Sequence, residues 1–200
     1  MKIGMIFECG PAGADKQVCE YLASRIRLDI EISSRTLDNK RNLLSDAGKV
    51  ALELLKDGCC CVLILWDLRP AWPGASGKPC RAEERLAMLA KLKEAGIAAT
   101  APVYLVCVEQ ELESWLIANE RALESLLSTE AHKYSVPRVR RPDQVPQPKA
   151  AINNHFKSAR GWRYDDKVDA IRILKAAEID LGRLKRSTSF GRFENKLMTC

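Results

Sequence analysis

The 200-residue sequence predicts an α/β domain, a parallel sheet flanked by helices. Three observations predict that class. Two apolar runs, "CCVLILW" at 60–66 and "VYLVCV" at 103–108, have the length and character of strands buried on both faces. Segments of helical period separate the strands, and parallel pairing needs such crossovers. The composition, 46% hydrophobic and 29% charged, is that of a packed globule, and this length buries one sizeable core with room for a small appendage.

In chain order, Met1–Phe7 reads as a short apolar strand and "ECGPAGADK" as the turn after it. Lys16–Arg27 sets Val18, Tyr21, Leu22 and Ile26 at helical spacing. "DIEIS" at 29–33 alternates like a half-exposed strand, and residues 35–42 are a polar connection. Leu43–Lys56 is expected to be a helix, with Leu44, Ala47, Val50, Ala51, Leu54 and Leu55 inward and Gly58 as its stop. Cys60–Trp66 is the central strand; Leu63 and Leu65 are expected on its opposite faces, both under helices. Residues 68–79 form a Pro/Gly loop. Its "WPGASGKP" is not a phosphate loop: Gly74 and Gly77 enclose two residues where that motif needs four, and Pro79 replaces its Ser/Thr. Arg81–Ala95 is a helix closed by Gly96, Val103–Val108 a buried strand, and Gln110–Leu127 a helix that takes Trp115 into the core.

The α/β domain therefore spans 1–127. "SVPRVRRPDQVPQPK" holds four prolines and no helical period, so 128–149 is expected to be a Pro/Arg-rich linker. Residues 150–200 form a basic helical tail packed on the core, with helices at Ala150–Ser158, Lys167–Glu178 and near Phe190–Met198.

Charge is uneven. Residues 1–130 carry 16 Lys+Arg against 19 Asp+Glu, whereas 131–200 carry 16 against 7. Such an excess suits either a polyanionic partner, bound by charge and counterion release, or a solvated basic face. Arg138, Arg140 and Arg141 form a basic cluster within it and are candidate phosphate contacts. In "KSARGWRYDDK", Trp162 and Tyr164 alternate with cations, which suits stacking on a base or anchoring the tail to the core. None of the eight cysteines forms a C-x-x-C pair, so metal-ligand spacing is absent and free, mostly buried thiols are expected. The N-terminus is not a signal peptide and no run is long enough for a membrane span, so a cytoplasmic protein without a membrane partner is expected.

Three expected strands end in acid: Glu8 in "MIFECG", Asp67 in "LILWDLR", and Glu109 with Glu111 and Glu113 in "VCVEQELESW". Open parallel sheets work at their carboxyl edge. Carboxylates gathered there repel, and a cation with oxygen ligands relieves the repulsion. A lone Asp after a strand also caps a turn or pairs with an arginine, here Arg69 or Arg81.

These motifs, with "ELESWLIAN", "PKAAINNHF" and "STSFGRFENKL", resemble an uncharacterised bacterial family with a Toprim-like core, often encoded beside SMC/ABC-type ATPases in defence islands. The resemblance spans most of the chain. It implies that Glu8 matches the Toprim glutamate, Asp67 the first acid of an Asp-x-Asp pair, and Glu111 and Glu113 the acids before the tryptophan. All four are then candidate catalytic residues and ligands for Mg²⁺ or Mn²⁺. Arg69 stands where the second Asp is expected and Cys9 where a glycine is; Arg69 becomes a candidate phosphate contact. The implied function is Mg²⁺-dependent phosphodiester cleavage of DNA or RNA. The alternative is a degenerate interaction module in an ATPase complex.

Overall fold

The computed structural model describes residues 1–72 and 78–200; the phosphate-loop question at "WPGASGKP" falls largely on 73–77, outside the described residues. Two compact units are present. The first comprises Met1–Val108 with Arg192–Cys200, the second Glu109–Gly191. The division between them falls after Val108 and after Gly191.

The first unit is an α/β domain on a four-stranded, all-parallel sheet. Its elements are β1 (Lys2–Phe7), α1 (Ala14–Ile26), β2 (Glu31–Thr36), α2 (Lys40–Lys56), β3 (Cys61–Asp67), α3 (Arg81–Glu94) and β4 (Val103–Val108). The strand order is β2-β1-β3-β4. β1 and β3 are central and almost wholly buried, as their unbroken apolar runs require. β2 is an edge strand with no fully buried residue, matching its polar alternation. Gly58 and Gly96, the expected helix stops, take φ of 86° and 85°, a left-handed turn that glycine enters without steric cost.

Residues Ile6, Val62, Ile64, Trp66, Leu105 and Cys107 pack with α2 and α3 in one apolar cluster. Leu63 and Leu65 are both buried, at 0% and 2% exposure, but they do not lie on opposite faces. Side chains alternate along a strand, so positions two apart share a face, and Val62, Ile64 and Trp66 fill the other. α1 buries Val18, Cys19, Leu22 and Ala23.

The cysteine expectation fails at one pair. Cys61 and Cys200, 139 positions apart in sequence, form a disulfide with Cα atoms 5.7 Å apart. No local spacing signals this, because the end of the chain returns to the start of β3. The other six cysteines are free.

The second unit contains α4 (Glu113–Ala118), α5 (Glu120–Leu127), a 3₁₀ turn (Pro142–Gln144), α6 (Pro148–Arg160), α7 (Asp166–Lys175) and α8 (Leu181–Leu184); α9 (Thr188–Thr199) begins here and ends in the first unit. The helix expected over 110–127 is two, broken at Asn119. Residues 128–149 are not a bare tether. Buried Asp143 accepts bonds from Ser187 Oγ (2.7 Å), Thr188 Oγ1 (2.7 Å), Ser189 Oγ (3.0 Å) and Ser189 N (3.0 Å), so this stretch holds the start of α9. Trp115 is fully buried; its Nε1 donates to Ser189 Oγ at 2.8 Å, and Phe190 meets it edge-on. Among the described residues, no helix is long and apolar enough to cross a membrane.

Candidate functional site

The chain leaves β1 toward β2 on one side, then places β3 and β4 on the other. The strand order therefore reverses between β1 and β3, and ligands of open parallel sheets bind outside the carboxyl ends at such a point. Glu8 directly follows β1 and Asp67 ends β3. The register pairs Phe7 with Leu65, which brings Glu8 level with the end of β3. Two sequence-predicted acids thus meet at the position where the topology expects a site.

Glu8 is the most perturbed group there. Its Oε2 is buried and has no hydrogen-bond partner. Burial pushes its carboxyl up to about 8; Lys40 opposes that shift, Asp15 and Glu84 add to it, and the Asp67 backbone N–H favours the charged form. Glu8 lines a cavity of about 550 Å³ with Asp15, Asp38, Lys40 and Arg41. Asp38 holds φ at 66°, a left-handed conformation that Asp adopts more readily than most residues. Cys9, also on this cavity, is no nucleophile: burial foremost, with Asp15 behind it, pushes its thiol up to about 12.

Behind the cavity lies a buried polar cluster. Lys40 Nζ donates to Leu68 O (3.0 Å) and to Pro70 O, and stands 3.4 Å from Glu84 Oε2. Trp66 Nε1 donates to the same Oε2 at 2.8 Å. Trp72 stacks near Trp66, and Lys40 lies 5.2 Å from the Trp72 ring centre. Burial raises the Glu84 carboxyl, with Lys40 and Trp66 pulling the other way. One ammonium therefore fixes the chain after β3 and acts electrostatically on Glu8.

Sequence reasoning missed Lys40, Glu84, Asp15 and Asp38. Lys40 lies in the polar stretch read as a connection, yet α2 begins there: Asn39 Oδ1 accepts from Asn42 N at 3.0 Å, an ordinary N-cap. That cap was a legible signal. The burial of Lys40 was not, because its partners lie 28 to 44 positions away.

Glu111 and Glu113 belong to the second unit and have partners there. Glu111 Oε2 accepts from Lys149 N in the first turn of α6 (3.2 Å), a favourable place for an anion. Glu113 is buried and accepts from Tyr164 Oη at 3.3 Å. Of the interleaved aromatics, Tyr164 is thus an anchor, whereas Trp162 is 51% exposed with the Arg160 guanidinium over its ring. Arg138, Arg140 and Arg141 are all exposed, as is Arg69 in the loop after β3. Among the described residues, no group of three or more His, Cys, Asp or Glu stands close enough to hold a metal ion.

A family model described as "Domain of unknown function (DUF4276)" matches residues 14–198. No curated protein and no solved structure matches the chain.

Proposed function

Because the chain belongs to the DUF4276 family, whose description assigns no activity, we propose its function from the site itself: divalent-cation-assisted hydrolysis of phosphodiester bonds in nucleic acid, on a Toprim-like core. The observation that carries this reading is the Glu8 carboxylate. A buried oxygen without a partner, at the reversal point of a parallel sheet, calls for a proton or a cation. The donors fit Mg²⁺ or Mn²⁺, which take one or two carboxylates and complete their shell with water and phosphate oxygens. Glu8 and Asp15 would hold the ion, with Asp67 adjoining. Bound there, it supplies Lewis-acid polarisation of a phosphoryl oxygen.

The chain's own residues do the rest. Glu8 keeps a proton at neutral pH when no cation is present, so ion and proton compete for it and ion binding strengthens as pH rises. Arg41, exposed at the cavity, and Arg69, exposed after β3, offer guanidinium forks to phosphate oxygens. The exposed arginines at 138, 140 and 141 add a second basic surface. Replacing all three with Gln should weaken nucleic-acid binding and flatten its salt dependence.

The direct test is cleavage of single-stranded and duplex oligonucleotides with Mg²⁺ or Mn²⁺. Wild type should cut and Glu8→Gln should not, while both remain folded. A folded wild type that cuts neither substrate, and that Mn²⁺ does not stabilise against heating, overturns the reading.

Two observations favour a second reading, a cation-free module that regulates or is held by a partner such as an SMC/ABC-type ATPase. Arg69 occupies the position of the second acid, and no three-ligand group stands among the described residues. Under it, Mn²⁺ shifts the melting of neither wild type nor Asp67→Asn, and the variant melts lower.

A further inference from the structure

The cavity at Glu8 has Arg41 on its lining. Arg41 also lines a second cavity, of about 630 Å³, on the outer side of α2 and α3. Arg41, Ser45 and Lys49 follow one another at intervals of four residues, so they form a row along one face of α2. Lys91 of α3 stands across from that row, and Leu44 and Ala95 give the groove an apolar floor. The first cavity sets Glu8, Asp15 and Asp38 beside Lys40 and Arg41; the second holds three cations against one acid, Glu94, which accepts from Lys91 at 2.6 Å. Arg41 and Lys49 are eight residues apart, about 12 Å along the helix.

We infer that this groove is the substrate's path away from the reacting phosphate, and that the substrate is therefore a nucleic acid strand spanning several phosphates, not a mononucleotide or a small phosphate ester. The inference rests on the proposed reading for its reacting end and adds the surface that holds the strand and the number of phosphates it spans. The charge order supports it: acids collect where an ion or a proton would neutralise them, and cations follow where only backbone phosphates would pass. A row of cations longer than one phosphate gives a mononucleotide nothing to fill. The apolar floor between the cations suits sugars and base faces, as in grooves that track single strands by charge and packing without reading sequence.

The test reads binding without chemistry, in chelator, by fluorescence anisotropy of labelled thymidine mononucleotide, dinucleotide and a longer oligothymidylate. Affinity of the wild type should rise about tenfold or more from the shortest to the longest probe, and the rise should shrink as salt increases. In Lys49→Ala/Lys91→Ala the rise should fall to about twofold or less. Both residues are exposed, so the variant folds, and its melting curve verifies that. A wild type that binds all lengths alike, or a variant that keeps the full length dependence, overturns the groove. The two proposals fail separately. Length-dependent binding lost in the variant, without cleavage under any cation, would sink the catalytic reading and keep the groove. Cleavage of oligonucleotides without length dependence would do the reverse.

Discussion

Lys40 and Glu84 form a buried ion pair between the first residue of α2 and the first turn of α3: Nζ and Oε2 are 3.4 Å apart, and the side chains are 6% and 3% exposed. The pair is not isolated. Lys40 also holds two carbonyls of the chain leaving β3, and Glu84 holds the Trp66 indole. Two charges are tolerated there because nearly every lone pair and proton has a partner.

Removing one member should therefore cost more than the pair contributes. Lys40→Met leaves Glu84 buried without its cation and frees two carbonyls; a loss of about 3–5 kcal/mol is expected in urea unfolding. Lys40→Met/Glu84→Leu should recover part of that loss, since no orphan charge remains. A single variant within about 0.5 kcal/mol of wild type would mean that water reaches the pair.

The disulfide offers a second measurement. Cys61–Cys200 ties the end of α9 to the start of β3 across 139 positions, and such a link chiefly restricts the unfolded chain. Cys200→Ser should lower stability by about 2–4 kcal/mol in oxidising buffer, and reductant should bring wild type to the same melting point. Mass analysis of alkylated protein should find the remaining six thiols free. A wild type whose melting ignores reductant would show that the bond is absent or without effect.

Asp143 explains a motif that the sequence displays but does not interpret. "STSF" at 187–190 supplies three hydroxyls and a backbone N–H to one buried carboxylate, and Phe190 then packs on Trp115. Asp143→Ala strands several donors at once. A loss of about 3 kcal/mol is expected, with Asp143→Asn recovering only part because it keeps a single acceptor oxygen. Chemical unfolding followed by tryptophan fluorescence would register it.

The sheet was legible because its cause is local. Unbroken apolar runs at 60–66 and 103–108 mark strands covered on both sides, and the helical periods between them force crossovers. Half of the acidic site was legible for the same reason: Glu8 and Asp67 sit where apolar strands stop, so element order alone predicts that they share an edge. Lys40, Glu84, Asp143 and the Cys61–Cys200 bond were not legible. Each depends on a partner tens of positions away, and nothing in a five-residue window distinguishes a buried lysine from a solvated one. Glu111 also has a partner far along the chain. The family resemblance offered it as a ligand; its carboxylate accepts from Lys149 N at the N-terminus of α6, a contact that no local pattern reveals.

Glu8 permits a sharper test, because its proton is linked to folding. In an unfolded chain the carboxyl titrates near the ordinary 4.5, whereas in the folded chain it holds its proton up to about 8. Between those values the folded state binds a proton that the unfolded state has released. Stability must then fall as pH rises through that window, and level off above it. Glutamine resembles the protonated acid and does not titrate. Glu8→Gln should therefore match wild type at mildly acidic pH and become the more stable protein as pH climbs toward about 8, by a margin on the order of a few kcal/mol. Urea unfolding of both proteins across that range would reveal the divergence. A margin that does not change with pH would mean that the folded carboxyl ionises normally. Adding Mn²⁺ at the alkaline end should close the gap from the wild-type side, since the ion stabilises only a carboxylate that can hold it. A gap that stays open in Mn²⁺ would leave Glu8 as a buried proton carrier and remove it from the ion's ligands.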